Sequence, residues 1–280
     1  MADEGVKRGR LVAFLDVLGF SAKLGSNPLE ELYQNFAEVV DEIKDKTILS
    51  SPGGTGNRSN FAFAQFMSDS LVLVSHPVED IYNVNNFIAA ISEIIALGLD
   101  AGFPFRGAIS VSDVVFDDGR NIFLAENFPA IVKFEGEQEW VGCVVLDDAK
   151  DLVLEAAFGS TTEDRMKITD FVHISKVPLK GDRHPIMVCI NFMFPRFLAG
   201  PGSRLNELIE PKRSNTEKHI HDVLVAGFEA QNLGEEFLPA KYMAVMKTRT
   251  GFRCQFLDEQ VRECDPGLDE WSWTAEGNAS

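Results

Sequence analysis

The chain has 280 residues, 45% of them apolar and 10% aromatic, enough for one large domain or two small ones with a core that folds unaided. Its formal net charge of −17 argues against nucleic acid or an anionic membrane surface as a partner. Cys143, Cys189, Cys254 and Cys264 show no zinc spacing, no apolar leader opens the chain, and no apolar run approaches the length of a membrane span. These features imply a cytoplasmic protein with free thiols.

The first clear element is LVAFLDVLGFS, residues 11–21: a buried strand that ends on Asp16, then a tight turn at Gly19. Asn27-Pro28 predicts the start of a helix, with Asn27 as N-cap and Pro28 at the first helical position. Leu29, Leu32, Tyr33, Phe36, Val39, Val40 and Ile43 follow at helical spacing. SSPGGTGNRSN is glycine-rich but lacks the Gly-Lys-Ser/Thr ending of a phosphate-binding loop, so it is expected to be a linker. FAFAQFM (61–67) and LVLVS (71–75) then form a hairpin with Asp69 at its tip.

A second helix carries Val84, Phe87, Ile88, Ile91, Ile94 and Ile95 on one face. FRGAISVSDVVF (105–116) is a strand, residues near 124–135 a short helix, and VGCVVL (141–146) a strand leading to a helix at Asp147. HISKVPLKGDRHPIMVCINF reads as strand, basic turn, strand. The order strand, helix, strand, strand, helix, strand predicts an α+β fold, ferredoxin-like, with an antiparallel sheet and helices on one face. Residues 8–192 are expected to form this domain, and 193–280 a C-terminal extension packed on it.

In that topology the end of the first strand lies beside the hairpin, so Asp16 and Asp69 meet. Two carboxylates in one small site repel unless a cation lies between them, which points to Mg²⁺ or Mn²⁺. Taken alone, Asp16 serves equally well as a helix cap. Phe61, Phe63 and Gln65 alternate on one face of their strand, where a ring has the choice of stacking on a ligand or joining the core. Arg106 begins a strand and is suited either to a carbonyl group or to a nearby acid.

FLDVLGFS, FMSDSLVLV and FRGAIS together resemble the class III nucleotidyl cyclases, over roughly residues 8–190. FMSDS, RGAIS, LAENFPAIVKFE and VPLKG are similar, more narrowly, to the bacterial pyrimidine cyclases of Pycsar antiphage defence. The resemblance implies a homodimer that converts UTP, or CTP, to the 3′,5′-cyclic monophosphate plus pyrophosphate. The product would reach a separate cyclic-nucleotide-activated effector. Asp16 and Asp69 would be catalytic, holding two ions with the Val17 carbonyl. Amides of Leu18, Gly19 and Phe20, with Lys180, would take the triphosphate. Phe61, Phe63, Gln65 and Arg106 would take the base, Gln65 standing where purine cyclases carry Lys or Glu. The Asn and Arg of the purine enzymes' interface helix are not evident in AENFPAIVKFE. The alternatives are a cyclase acting on ATP or GTP, and a catalytically degenerate nucleotide-sensing module.

Overall fold

The computed structural model describes residues 5–48, 59–117, 120, 122–158 and 171–192. The proposed linker (mostly 49–58) and the extension from 193 onward lie outside the described residues.

β1 (Lys7–Val17) is the centre of the sheet because both of its edges are paired, by β3 (Ser70–Val74) and by β4 (Phe105–Asp117), each antiparallel. β2 (Phe63–Met67) pairs β3 through a two-residue turn, Ser68-Asp69. The spatial order β2-β3-β1-β4 is the ferredoxin-like order the sequence predicts. The sheet continues through β6 (Gly142–Val145), β8 (Ile186–Ile190) and β7 (Val172–Lys176), while β5 (Ile122–Ala125) pairs the far end of β4. β4 and β6 run parallel, an addition to the expected antiparallel plan. The parallel pair requires a crossover, and the chain from β5 through α4 (Phe128–Glu137) supplies it.

Strand alternation sorts the side chains into two faces. Leu11, Ala13, Leu15, Leu71, Leu73, Phe105 and Ile109 form one, all fully buried. Against it lies α3 (Ile81–Asp100), whose Val84, Phe87, Ile88, Ile91, Ile94 and Ile95 are also fully buried, as the helical period predicts. Asp80 caps α3 by accepting from the Tyr82 N–H at 3.0 Å. By length and composition α3 is apolar enough to cross a bilayer. Its buried face instead meets the sheet: a methyl group added at Gly98 would stand 2.4 Å from the Phe105 ring.

The opposite face carries Phe14, Asp16, Gln65, Ser70 and Arg106 and is covered in part by α4, where Phe128 meets Phe14 edge-on at 5.6 Å. Helices therefore flank both faces, one more than the ferredoxin-like plan alone supplies. Gly107 is required by the close passage of β1, since a Cβ there would stand 2.3 Å from the Phe14 carbonyl oxygen.

Three local expectations are corrected. A short helix, α1 (Phe20–Ser26), precedes α2 (Leu29–Ile43), and Asn27 closes α1 rather than opening α2: its Nδ2 donates to the Lys23 carbonyl at 2.9 Å. Pro28 accordingly sits at the N-cap of α2, one position earlier than expected. The helix expected from 124 begins at Phe128, because Ile122–Ala125 extends the sheet.

Candidate active site

Cross-strand register builds the site. Met67, Ser70, Asp16, Arg106 and Gly142 follow one another across β2, β3, β1, β4 and β6. Neighbours in such a row have Cβ atoms about 5 Å apart on one face. The Ser70 hydroxyl donates to the Asp16 carboxylate at 2.7 Å. Asp69 precedes Ser70, and its carbonyl accepts the Val17 N–H at 3.2 Å. The hairpin tip is thus bonded to the end of β1, and Asp16 and Asp69 are backbone neighbours. Both acids are half-buried. Ser68, before Asp69, holds φ 58, a left-handed conformation that turns the chain within two residues.

The carboxylates of Asp16 and Asp69 with the Val17 carbonyl are a hard oxygen donor set, which suits Mg²⁺ or Mn²⁺ rather than a softer ion. Among the described residues no group of three or more His, Cys, Asp and Glu gathers for a metal.

The three residues after Val17 differ from one another. Leu18 is buried and its N–H donates to the Pro104 carbonyl at 2.8 Å, so that amide is already used. Gly19 is exposed, takes φ 77, and is the N-cap of α1. The Phe20 N–H belongs to the first turn of α1, which has no acceptor within the helix. The Phe20 ring packs on Phe36 at 5.2 Å and Phe103 at 6.4 Å.

Of the residues expected to meet a base, Gln65 lies half-buried on the Asp16 face. Phe61 precedes β2 and packs edge-on against Phe87 of α3, on the other side of the sheet. Phe63 is on the Gln65 face but stacks on Phe123 at 5.4 Å and packs at a tilt on Phe116 at 5.1 Å, and is 8% exposed. Arg106 is also 8% exposed: its Nε and Nη2 donate to Glu135 and its Nη1 to the Gln138 carbonyl. Among the expected alternatives, Phe61 and Phe63 join the core and Arg106 pairs with an acid.

Glu135 was not singled out in the sequence. It lies on α4 four positions after the buried Ile131, so it is an acid on the helix's apolar stripe, which is the one readable sign. Burial raises the Glu135 carboxyl above the ordinary range, Arg106 draws it back, Asp16 pushes it up, and Lys180 opposes that push. Asp16, Arg106, Glu135 and Lys180 therefore share one electrostatic neighbourhood.

Lys180 is exposed in the turn before Arg183, with Gly181 at φ 75 and Asp182 at φ 56. Its N–H donates to the Glu137 carbonyl at 2.7 Å, and Arg183 pairs with the Glu137 carboxylate at 2.7 Å. Both contacts fasten the basic turn to the end of α4. Gln138, fully buried, completes the join: Nε2 donates to the Gly107 carbonyl at 2.8 Å and Oε1 accepts the Trp140 indole N–H at 2.9 Å. At the other end of α4, Asn127 donates to the Val111 carbonyl at 2.7 Å and to Asp148 at 3.0 Å, which makes it a tie between α4, β4 and α5 (Asp147–Phe158).

No family model and no curated protein matches the chain. Solved structures do. The adenylyl cyclase CyaB from P. aeruginosa aligns over 66% of this chain and 95% of its own, at 16% identity and a TM-score of 0.39. The guanylyl cyclase Cya2 aligns over 66% and 93%, at 15% identity and a TM-score of 0.42. The catalytic core of a rhodopsin-guanylyl cyclase with converted specificity, in complex with ATPαS, aligns over 68% and 98%, at 10% identity and a TM-score of 0.38. Likeness at this level assigns no activity to this chain.

Proposed function

We propose that the chain is a metal-dependent pyrimidine nucleotide cyclase, converting UTP or CTP to the 3′,5′-cyclic monophosphate and pyrophosphate. The observation that carries the proposal is the bonded junction of β1 with the β2–β3 hairpin, which makes neighbours of Asp16 and Asp69 at the mouth of a face that also bears Gln65. Asp16 and Asp69, with the Val17 carbonyl, hold two Mn²⁺ or Mg²⁺ ions. When bound, those ions acidify the ribose 3′-hydroxyl and offset charge on the leaving pyrophosphate. The chain's own part is to place the 3′-oxygen in line with the α-phosphorus. The amides of Gly19, the N-cap of α1, and of Phe20 in its first turn, with the Lys180 ammonium, take phosphate oxygens. Leu18 is left out of this set because its amide is spent on Pro104.

Gln65 offers both a donor and an acceptor, which suits the carbonyl and N3 edge of a pyrimidine. Phe63 and Arg106 lie buried on the Gln65 face and back this site from within the core, while Phe61, packed on α3 across the sheet, takes no part in it. The protein acts as a homodimer in the cytoplasm, and its product activates a separate effector in antiphage defence.

The test is incubation of the purified chain with each of the four ribonucleoside triphosphates and Mn²⁺, with products resolved by mass spectrometry. Cyclic UMP or cyclic CMP with stoichiometric pyrophosphate is expected. Product from ATP or GTP alone would reassign the base, and no cyclic product from any of the four would overturn the proposal. Asp69→Ala should abolish turnover with the far-UV circular dichroism unchanged, since a hairpin-tip acid contributes little to the core. Sedimentation showing only monomer at micromolar concentration would contradict the dimeric mechanism.

A further inference from the structure

The last turn of α4 carries two acids, Glu135 and Glu137, and the chain leaves the helix extended at Gln138. Gln138 meets Leu179 in an antiparallel bridge, which sets Glu137 opposite Lys180. Two main-chain bonds fix that register: the Lys180 N–H donates to the Glu137 carbonyl at 2.7 Å, and the Glu139 N–H to the Pro178 carbonyl at 2.9 Å. Opposite charges placed directly across such a bridge ordinarily pair. Among the described residues, however, the Lys180 ammonium takes no ion pair. Glu137 accepts instead from the Arg183 Nη2 at 2.7 Å, and the Arg183 Nε donates to the Lys180 carbonyl at 3.1 Å. Glu135, the other α4 acid that feels the Lys180 charge, is taken by Arg106. Asp182, in the same turn, stands in solvent beside His184. Each α4 carboxylate near Lys180 thus has an arginine of its own.

We propose that Arg183 is a positioning residue: by occupying the Glu137 carboxylate it keeps that acid off the Lys180 ammonium, which is left to bind phosphate oxygens. This rests on the reading of Lys180 as a triphosphate ligand given above and adds two residues to it. Arg183 touches no substrate and acts through Lys180. Without the guanidinium, Glu137 turns to the cation opposite it, and a phosphate must then displace a carboxylate. The Arg183–Glu137 pair is part-exposed, so the exchange changes affinity several-fold rather than by orders of magnitude.

The experiment is calorimetric titration of the full-length protein with inorganic tripolyphosphate and Mg²⁺, at about 0.15 M ionic strength so that distant charges are screened. Lys180→Gln and Arg183→Gln are each expected to weaken binding about fivefold. Arg183→Gln combined with Glu137→Gln removes the competing carboxylate as well, and is expected to bind within about twofold of the wild type. In the Lys180→Gln background, Arg183→Gln is expected to add no further loss. A guanidinium that itself touched phosphate, or merely added positive charge to the surface, would cost the same in either background. A purely structural role would not be repaired by a second substitution.

Arg183→Gln at wild-type affinity, a double variant as weak as Arg183→Gln, or a further loss in the Lys180→Gln background would each overturn the inference while leaving the cyclase reading intact. Lys180→Gln at wild-type affinity would take Lys180 out of the phosphate site, and the inference with it, as would wild-type protein that binds no tripolyphosphate. The turnover assay with the four nucleoside triphosphates judges the cyclase reading separately.

Discussion

Gln138→Leu tests the join between α4, β4 and the Lys180 turn. Leucine nearly matches the volume of glutamine, so the cavity contribution is small and the cost is polar. The indole N–H of the fully buried Trp140 loses the acceptor it now has at 2.9 Å, costing about 1–3 kcal/mol. The Gly107 carbonyl loses the side-chain donor at 2.8 Å, costing about 1 kcal/mol more. The sum, about 2–4 kcal/mol, lowers Tm by about 5–15 °C in a domain of this size. Urea and thermal unfolding of both proteins measure it. The bond from Arg106 to the Gln138 main-chain carbonyl is kept, so the damage should appear at the turn. There, hydrogen exchange at the Lys180 amide, which donates to Glu137, should speed up. A loss under about 0.5 kcal/mol with unchanged exchange would refute the reasoning, because a buried, doubly bonded amide cannot be removed at so small a cost.

Ser68→Gly relieves a non-glycine residue held at φ 58; the left-handed conformation costs about 1–2 kcal/mol, against about 0.5–1 kcal/mol for the freer unfolded glycine. The variant should be no less stable than wild type by urea midpoint, and a clear loss would contradict the turn geometry. Glu93 on α3 is raised above the ordinary carboxylate range by burial, with Lys46 opposing and Glu42 adding to the rise. The native state then binds the proton more tightly than the unfolded chain. Stability therefore falls as pH rises from about 4.3 through the raised native value, and the penalty is fully present above that value. Glu93→Gln should be more stable than wild type at pH 8, with the difference vanishing near pH 4; a variant less stable at pH 8 would reverse the sign.

The parts of the fold that were legible in the sequence are those whose apolar period is uninterrupted. α3 shows its buried face in the spacing of Val84, Phe87, Ile91 and Ile95. β1 and β3 appear as continuous apolar runs because both their faces are covered. α1 was missed because FSAKLGS buries no residue and so leaves no periodic trace. Asn27 has the composition of a helix start but serves a helix end, a choice the neighbouring Lys23 carbonyl makes. β5 and α4 blurred into one helix because IFLA is too short to show alternation. At the site, the meeting of Asp16 with the hairpin followed from topology. The partnership of Arg106 with Glu135 did not, because it depends on α4 crossing the sheet face. Phe61 deceived because the face alternation of β2 does not extend to a residue that precedes the strand.

The most direct measurement is a crystal of the protein soaked with Mn²⁺ and a non-hydrolysable UTP or CTP analogue, with manganese located by its anomalous signal. The account predicts two manganese peaks between Asp16 and Asp69, each about 2.1 Å from carboxylate oxygen, with the triphosphate running toward Gly19 and Lys180 and the base toward Gln65. Manganese bound elsewhere, or a nucleotide seated away from the junction of β1 with the hairpin, would contradict it.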